Sequence, residues 1–243
     1  MQKDSILNII LVGVGLCIVC GAVISTVAVS LRDQQEQNVI FDQQSKIIDA
    51  ARLLEVYPSS QEALASIEEV VVNLNDGQPS SFPPEQYDLD SILRDSSQHT
   101  VLNGSEDIAM ISVRENLSKV YIEYRNNELK TLILPVRGYG LWGTLYGYLA
   151  LDSDLNTIVG LEFYKHKETP GLGAEVDNPN WKKLWNGKKV FDENGLVQIS
   201  VIKGFSNPQS ADYSYEVDGL SGATITSKGC LLYTSDAADD LVG

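Results

Sequence analysis

The longest apolar stretch of the chain lies at residues 6–31, where no charged residue occurs. As a helix, a stretch of this size would be roughly 39 Å long, which is enough to cross a bilayer with some tilt. A cleavable signal peptide is the alternative, but the run is longer than the apolar core of such peptides. The pattern therefore predicts a short tail at residues 1–5 and one uncleaved transmembrane helix at residues 6–31.

The pattern of apolar positions changes after residue 31. Ile40, Ile47, Ala51 and Leu54 recur at helical spacing, which predicts an amphipathic helix over residues 34–57, within a linker of residues 32–57. Residues 58–100 are polar and contain several prolines and serines. We interpret them as a surface insertion in which residues 62–74 form a short acidic helix.

Strand-like runs dominate from residue 101 onward. Short β-branched or aromatic runs separated by turn residues predict strands at residues 108–113, 120–124, 132–136, 144–151, 157–164 and 197–202. Asn178 and Pro179 suit the start of a short helix at residues 177–184. The sequence thus predicts an α+β fold, with a mostly antiparallel sheet and flanking helices, in a domain of residues 101–229.

Charge and composition restrict the function classes. The 243-residue chain carries a net charge of −15 at pH 7. This charge would repel nucleic-acid phosphates, so no nucleic-acid partner is expected. Three cysteines give no disulfide framework, and we interpret Cys17 and Cys20 as apolar residues of the membrane helix. Two histidines give little support for a metal centre, and no metal site is predicted.

Residues 218–227 hold the clearest candidate chemistry. They read Asp218-Gly219-Leu220-Ser221-Gly222-Ala223-Thr224-Ile225-Thr226-Ser227. Glycine lets backbone approach a ligand, consecutive N–H groups can face an anion, and hydroxyls can bind a phosphate or be esterified by one. The alternative is an ordinary turn that enters a helix, with Ser221 or Thr224 as its N-cap.

Two glycine-rich stretches come earlier in the chain. Residues 138–143 read Gly-Tyr-Gly-Leu-Trp-Gly, but a strand-like run follows instead of the helix that a dinucleotide-binding unit needs, so that interpretation is rejected. Tyr139 and Trp142 either line a ligand pocket or pack in the core. Residues 168–173 read Glu-Thr-Pro-Gly-Leu-Gly and are either a ligand loop or a surface turn. Lys203 follows a strand and is a candidate partner for an anion.

The 218–224 stretch resembles the flavinylation motif of the FMN-binding domain family, in which the last threonine, here Thr224, carries FMN through a phosphoester. Residues 138–143, 166–173 and 175–179 also resemble the C subunit of the bacterial sodium-translocating NADH:quinone reductases, and the likeness is dense over residues 131–229. We therefore expect covalent FMN on Thr224, with further contacts from Asp218, Ser221, Gly222, Ala223, Ile225, Thr226, Thr169, Gly171, Leu172, Gly173, Tyr139, Trp142 and Lys203.

The same resemblance implies a place in the cell. The chain is expected to relay electrons one at a time in a six-subunit membrane complex that oxidises NADH, reduces quinone and exports Na⁺. A separate flavin transferase would attach the FMN, using FAD and Mg²⁺. The resemblance places the soluble domain on the periplasmic side of the bacterial inner membrane, held by a single span. No catalytic residue is predicted, since no Ser/His/Asp arrangement accompanies Thr224 at a recognisable spacing.

Two alternatives stay open at this point. The G subunit of the Rnf complex shares the Glu-Thr-Pro-Gly-Leu-Gly and Ser-Gly-Ala-Thr pieces, although the Gly-Leu-Trp-Gly piece argues against it. A membrane-anchored binding module would use the same hydroxyl-rich stretch to hold phosphate without redox chemistry. The resemblance stops after residue 229, and residues 230–243 form an atypical tail that does not look like the closing helix of the family.

Overall fold

The computed structural model describes residues 6–104, 107, 109–223 and 226–227. The predicted tails at residues 1–5 and 230–243 lie outside these residues. The chain divides into two compact units, Met1–Gln43 and Gln44–Gly243. Among the described residues, the α-helices are α1 (Ile6–Ala50), α2 (Ser60–Ala65), α3 (Leu89–Arg94) and α4 (Pro179–Lys182).

Helix α1 contains the predicted membrane span. Its apolar part has a mean hydropathy of 2.7, and by length and composition the helix can cross a membrane. The predicted amphipathic helix at residues 34–57 is the continuation of α1, but it ends at Ala50 because Arg52 adopts the left-handed conformation, with φ of 53°. Ile47 and Ala51 are buried as expected, whereas Ile40 and Leu54 are exposed.

The described strands are β1 (Ile67–Asn73), β2 (Gln78–Pro79), β3 (His99–Val101), β4 (Val113–Glu115), β5 (Leu117–Arg125), β6 (Glu128–Tyr139), β7 (Thr144–Asp152), β8 (Ile158–Lys165), β9 (Ser200–Ile202) and β10 (Glu216–Asp218). Six of them form an antiparallel main sheet in the order β2-β1-β5-β6-β7-β8. β3 and β4 form an antiparallel pair, and β9 and β10 form a parallel pair. The expected α+β fold with a mostly antiparallel sheet is confirmed.

Successive residues of a strand point to opposite faces of a sheet, and the main sheet carries an apolar cluster on each face. Tyr148 packs in one apolar cluster with Ile47 and Leu53, from the end of α1 and the turn that follows it. Leu149, the next residue along β7, packs in a second cluster with Trp181 and Trp185, which come from α4 and the 3₁₀ turn after it. The sheet therefore separates two cores.

Two secondary-structure predictions are wrong. The acidic helix predicted at residues 62–74 is helical only to Ala65, and Ile67–Asn73 is instead strand β1, paired with β5 along its whole length. Residues 109–112 are not a strand, because the Asp107 carboxylate accepts hydrogen bonds from the N–H groups of Ile111 and Ser112 and bends the chain. Residue 108 lies outside the described residues.

The other local predictions hold with shifted ends. The predicted strands at residues 120–124, 132–136, 144–151 and 157–164 fall within β5 to β8, with 157 one position before β8. The strand predicted at residues 197–202 begins only at Ser200. Asn178 caps α4 as predicted, since its side chain accepts a hydrogen bond from the N–H of Asn180. Helical structure continues from there as a 3₁₀ turn to Trp185.

Candidate functional site

The aromatic turn (residues 139–143) and the proline loop (residues 166–173) leave the same end of the main sheet. β6 ends at Tyr139, which pairs with Thr144 at the start of β7. β8 ends at Lys165, whose partner on β7 is Tyr146. Because β7 runs antiparallel to both neighbours, the turn before β7 and the loop after β8 lie side by side.

The Glu168 side chain connects these two segments to a third, the hydroxyl segment (residues 218–227). Its Oε1 accepts a 2.9 Å hydrogen bond from the backbone N–H of Trp142. Its Oε2 accepts a 2.7 Å hydrogen bond from the Oγ1 of Thr226. Glu168 is buried, with 6% relative exposure. One carboxylate thus holds together the three stretches that the sequence singles out.

Glycines lie on both sides of this carboxylate, and a side chain at either position would displace it. A Cβ at Gly140 would lie 2.6 Å from Glu168 Oε1. A Cβ at Gly173 would overlap Glu168 Oε2 and lie 2.9 Å from Thr226 Oγ1. Both separations are shorter than real Cβ contacts. Gly173, which the sequence suggests as a ligand contact, is buried and makes room for Glu168.

Residues 220–223 of the hydroxyl segment form a tight turn. The N–H of Ala223 donates a 3.2 Å hydrogen bond to the carbonyl of Leu220. The N–H and the Oγ of Ser227 both donate to the carbonyl of Ala223, at 2.9 and 2.7 Å. Gly222 has a φ of +76°, a left-handed conformation that favours glycine. These bonds fix the chain on both sides of the predicted attachment threonine.

Burial differs along the hydroxyl segment. Ser221 is exposed, whereas Ala223 and Thr226 are buried. Thr224 and Ile225, the predicted attachment residue and its neighbour, lie outside the described residues. The structure therefore describes the residues before and after the predicted attachment position, Ala223 and Thr226. The role of Thr224 stays a prediction.

Large apolar side chains are exposed on the aromatic turn and the proline loop. Tyr139 is 42% exposed, Trp142 62% and Leu172 49%. The alternative that the two aromatic rings pack in the core is therefore wrong. A Cβ at Gly222 would lie 3.6 Å from Leu172 Cδ2, so Leu172 lies beside the hydroxyl segment. Exposed apolar groups on joined segments suit a flat aromatic ligand.

The proline loop is closed by its own backbone. The carbonyl of Thr169 accepts hydrogen bonds from the N–H groups of Leu172 and Ala174, both at 3.1 Å. Gly171 is exposed, has a φ of +76° and has open space where a side chain would be. The loop thus presents Gly171 and Leu172 to the outside while Glu168 and Gly173 face inward.

Asp218 anchors the start of the hydroxyl segment. Its Oδ1 accepts hydrogen bonds from both the N–H and the Oγ of Ser206, each at 2.7 Å. Its carbonyl accepts a 2.8 Å hydrogen bond from the Nε1 of the buried Trp181. These contacts hold Asp218 in place through both its side chain and its main chain. Lys203 is exposed in the turn between β9 and Ser206.

His166 has a structural set of partners. The backbone N–H of Glu168 donates to His166 Nδ1 at 3.3 Å, so the ring proton is on Nε2, which donates to Asp177 Oδ2 at 2.9 Å. Both ring nitrogens of His166 are therefore hydrogen-bonded within the protein. Within the described residues, no group of three or more His, Cys, Asp or Glu side chains is arranged to hold a metal ion.

Glu168 and Trp181 are members of the site that no sequence motif identifies. Both act through partners that are distant along the chain, 58 positions for Glu168 and Thr226 and 37 for Trp181 and Asp218. The available signal is an acidic residue directly before a Pro-Gly loop, in a chain with a second glycine-rich turn for it to pack against.

Comparisons with known proteins agree with this geometry. Residues 140–239 match the FMN-binding domain family. The chain is 44% identical over 233 residues to the C subunit of the Na(+)-translocating NADH-quinone reductase of Pseudomonas aeruginosa, covering 94% of this chain and 89% of the relative. The crystal structure of Shewanella oneidensis NqrC has a TM-score of 0.71 and 30% identity, over 79% of this chain and 88% of that one. The crystal structure of the C subunit from Parabacteroides distasonis has a TM-score of 0.64 and 30% identity, over 88% of this chain and 98% of that one.

Proposed function

This chain belongs to the family of Na(+)-translocating NADH-quinone reductase C subunits, and from that premise we propose that it is the FMN-carrying member of such a complex. The observation that carries the proposal is the junction at Glu168. It brings the aromatic turn, the proline loop and the hydroxyl segment into one place, and the FMN-binding family match covers most of this region.

The described residues fit an FMN molecule here. The isoalloxazine ring has flat aromatic faces, and the exposed Tyr139, Trp142 and Leu172 offer side chains against which they can stack. Gly171 and Gly222 leave open backbone, with only Leu172 near the position of a Cβ at Gly222. The exposed hydroxyl of Ser221 is a donor for phosphate oxygens. Lys203 is proposed to pair with the phosphate or with ring oxygens.

We propose that the FMN is held by a phosphoester to Thr224. A flavin transferase that uses FAD and Mg²⁺ would join the threonine oxygen to the FMN phosphorus, and AMP would leave. Ser227 and Thr226 are already committed to internal hydrogen bonds, which supports Thr224 as the acceptor of the FMN phosphate. A tether keeps the cofactor at high effective concentration while its charge changes. When bound, FMN supplies one-electron transfer.

The same proposal covers partners and location. The chain would be one of six subunits, held in the bacterial inner membrane by the apolar part of α1, with its FMN-binding domain on the periplasmic side. The support for membrane attachment is the length and hydropathy of α1. NADH, quinone and Na⁺ sites are assigned to the other subunits.

The test of the relay is activity of the assembled complex with Thr224→Ala in this chain. We expect the complex to assemble and still pass electrons from NADH to an artificial acceptor, while NADH-driven quinone reduction falls to background. Ser153→Ala is the control, because Ser153 is an exposed hydroxyl in the turn between β7 and β8, outside the site, and the variant should keep its activity. Full quinone reduction by the Thr224→Ala complex would contradict the proposal.

A further inference from the structure

Glu168 is a buried carboxylate without a cationic partner among the described residues, where neither the ion pairs nor the hydrogen bonds include a Lys or Arg at its oxygens. Its two oxygens instead accept from the Trp142 N–H and the Thr226 hydroxyl. The backbone N–H of Trp142 can only donate, so Oε1 of Glu168 acts as an acceptor, and the Thr226 hydroxyl donates to Oε2.

The packing leaves little room for water to screen this charge. Gly140 and Gly173 bring backbone so close that a Cβ on either would overlap the carboxylate. In a site of low effective dielectric, a charge acts on its surroundings more strongly than it would in water. The negative charge of Glu168 is therefore felt by whatever lies against the aromatic turn and the hydroxyl segment.

We propose that Glu168 is a positioning residue for the FMN site and that its buried negative charge lowers the reduction potential of the bound FMN. This inference rests on the proposed function. Glu168 holds Thr226, two positions beyond Thr224, and the backbone of Trp142, one of the proposed ring contacts. Reduction adds an electron to the cofactor, and a nearby fixed negative charge makes that addition less favourable.

Glu168→Gln separates the charge from the hydrogen bonds. The amide oxygen can accept from the Trp142 N–H, and the amide NH₂ can donate to Thr226 Oγ1, since a hydroxyl both donates and accepts. Shape and contacts are kept while the charge is lost. Glu168→Asp keeps the charge on a shorter side chain. Glu175→Gln is the matched control, because Glu175 lies just after the proline loop but bonds Asn178 and not the site.

The experiment uses the full-length chain in detergent, co-expressed with a flavin transferase. Flavin content, thermal unfolding and the midpoint potential of the flavin are measured for the native chain and the three variants. We expect Glu168→Gln to have the unfolding temperature and the flavin content of the native chain. Its flavin should have a more positive midpoint potential. Glu168→Asp and Glu175→Gln should keep the native potential in their labelled fractions.

The outcomes are distinguishable. A native chain that takes no flavin contradicts the proposed function itself. A native chain that is labelled, with Glu168→Gln at the same potential as Glu175→Gln, overturns the role of the charge. The inference is also overturned if the Glu168→Gln variant has the native unfolding temperature but takes no flavin. The glutamine would then make equivalent hydrogen bonds without positioning the site. The inference is supported if the midpoint potential becomes more positive in Glu168→Gln but not in Glu168→Asp.

Discussion

The Oγ1 of Thr226 donates a 2.7 Å hydrogen bond to Oε2 of Glu168, across 58 positions of sequence. Both residues are buried, with relative exposures of 1% and 6%. A hydrogen bond to a buried ionised group is among the stronger ones in a protein, and losing its donor leaves the charge unpaired. This contact therefore holds the hydroxyl segment against the proline loop.

The first prediction concerns a substitution that removes this donor. Thr226→Val keeps the shape of the side chain but loses the hydroxyl, so Glu168 Oε2 stays buried without its partner. We expect a loss of about 1–3 kcal/mol in the free energy of unfolding. Thr226→Ser keeps the hydroxyl and should lose less. Chemical unfolding of the full chain in detergent checks this, and equal stability of Thr226→Val and the native chain would refute it.

The second prediction compares two glycines of the proline loop. Gly173→Ala places a methyl group against Glu168 Oε2 and Thr226 Oγ1, whereas Gly171→Ala meets open space and bears only the strain of a φ of +76°. Gly171→Ala should cost about 1–2 kcal/mol. Gly173→Ala should cost more and should also reduce flavin labelling. Thermal unfolding and in-gel flavin fluorescence measure the two effects, and the opposite ranking would be inconsistent with this packing.

The third prediction concerns the anchor of Asp218. Trp181 and Trp185 stack edge-to-face with ring centroids 5.6 Å apart, and only Trp181 donates its Nε1–H, to the carbonyl of Asp218. Within the described residues Trp185 Nε1 has no hydrogen-bond partner. Trp181→Phe and Trp185→Phe lose the same volume, so Trp181→Phe should be less stable by about 0.5–1.5 kcal/mol. Denaturant midpoints compare the two variants, and a more stable Trp181→Phe would contradict the assignment.

The fourth prediction is a pH dependence in the turn between β7 and β8. Partial burial raises the pKa of Asp154, but hydrogen bonds from Thr157 Oγ1 (2.6 Å), Thr157 N (2.8 Å) and Asn156 N (3.0 Å) outweigh it and hold the pKa below its ordinary value of 3.8. A depressed pKa in the folded state stabilises the fold above the unfolded pKa, and this stability is lost as pH falls through the folded pKa.

Asp154→Ala should therefore lower the unfolding temperature at neutral pH. The difference in unfolding temperature between this variant and the native chain should shrink as the pH falls below 3.8. The Asp154 carboxyl of the native chain then takes up a proton in the unfolded state and, at lower pH, in the folded state. Thermal unfolding across this pH range measures the difference. A difference of constant size at every pH would mean that the charge of Asp154 is not responsible.

Local pattern is enough to predict most of the main sheet. Strands β5 to β8 carry β-branched and aromatic runs separated by turn residues, and these runs identify them. β1 escapes prediction because Glu68 and Glu69 stand on a strand near the sheet edge that also carries a helical spacing of apolar residues. Its strand structure depends on pairing with β5, which lies far along the chain. The local sequence of β1 does not indicate this pairing.

The candidate site is located by its motifs but not explained by them. The glycines at 140 and 173 lie in motifs that suggest backbone close to a ligand, and the structure adds that both make space for a carboxylate. That carboxylate, Glu168, bonds residues 26 positions before it and 58 after it. Such pairings are fixed by tertiary packing, and a single sequence does not contain them.

The measurement that tests the central proposal most directly is the intact mass of the full-length chain after co-expression with a flavin transferase. The native chain should gain the mass of one FMN less one water, and fragmentation should place this gain on Thr224. Thr224→Ala should show no gain, while Ser153→Ala, which removes an exposed hydroxyl outside the site, should be labelled. The Pseudomonas aeruginosa relative, expressed in parallel, reports whether the transferase is active. A gain that persists in Thr224→Ala, or an unlabelled native chain beside a labelled relative, would contradict covalent FMN on this residue.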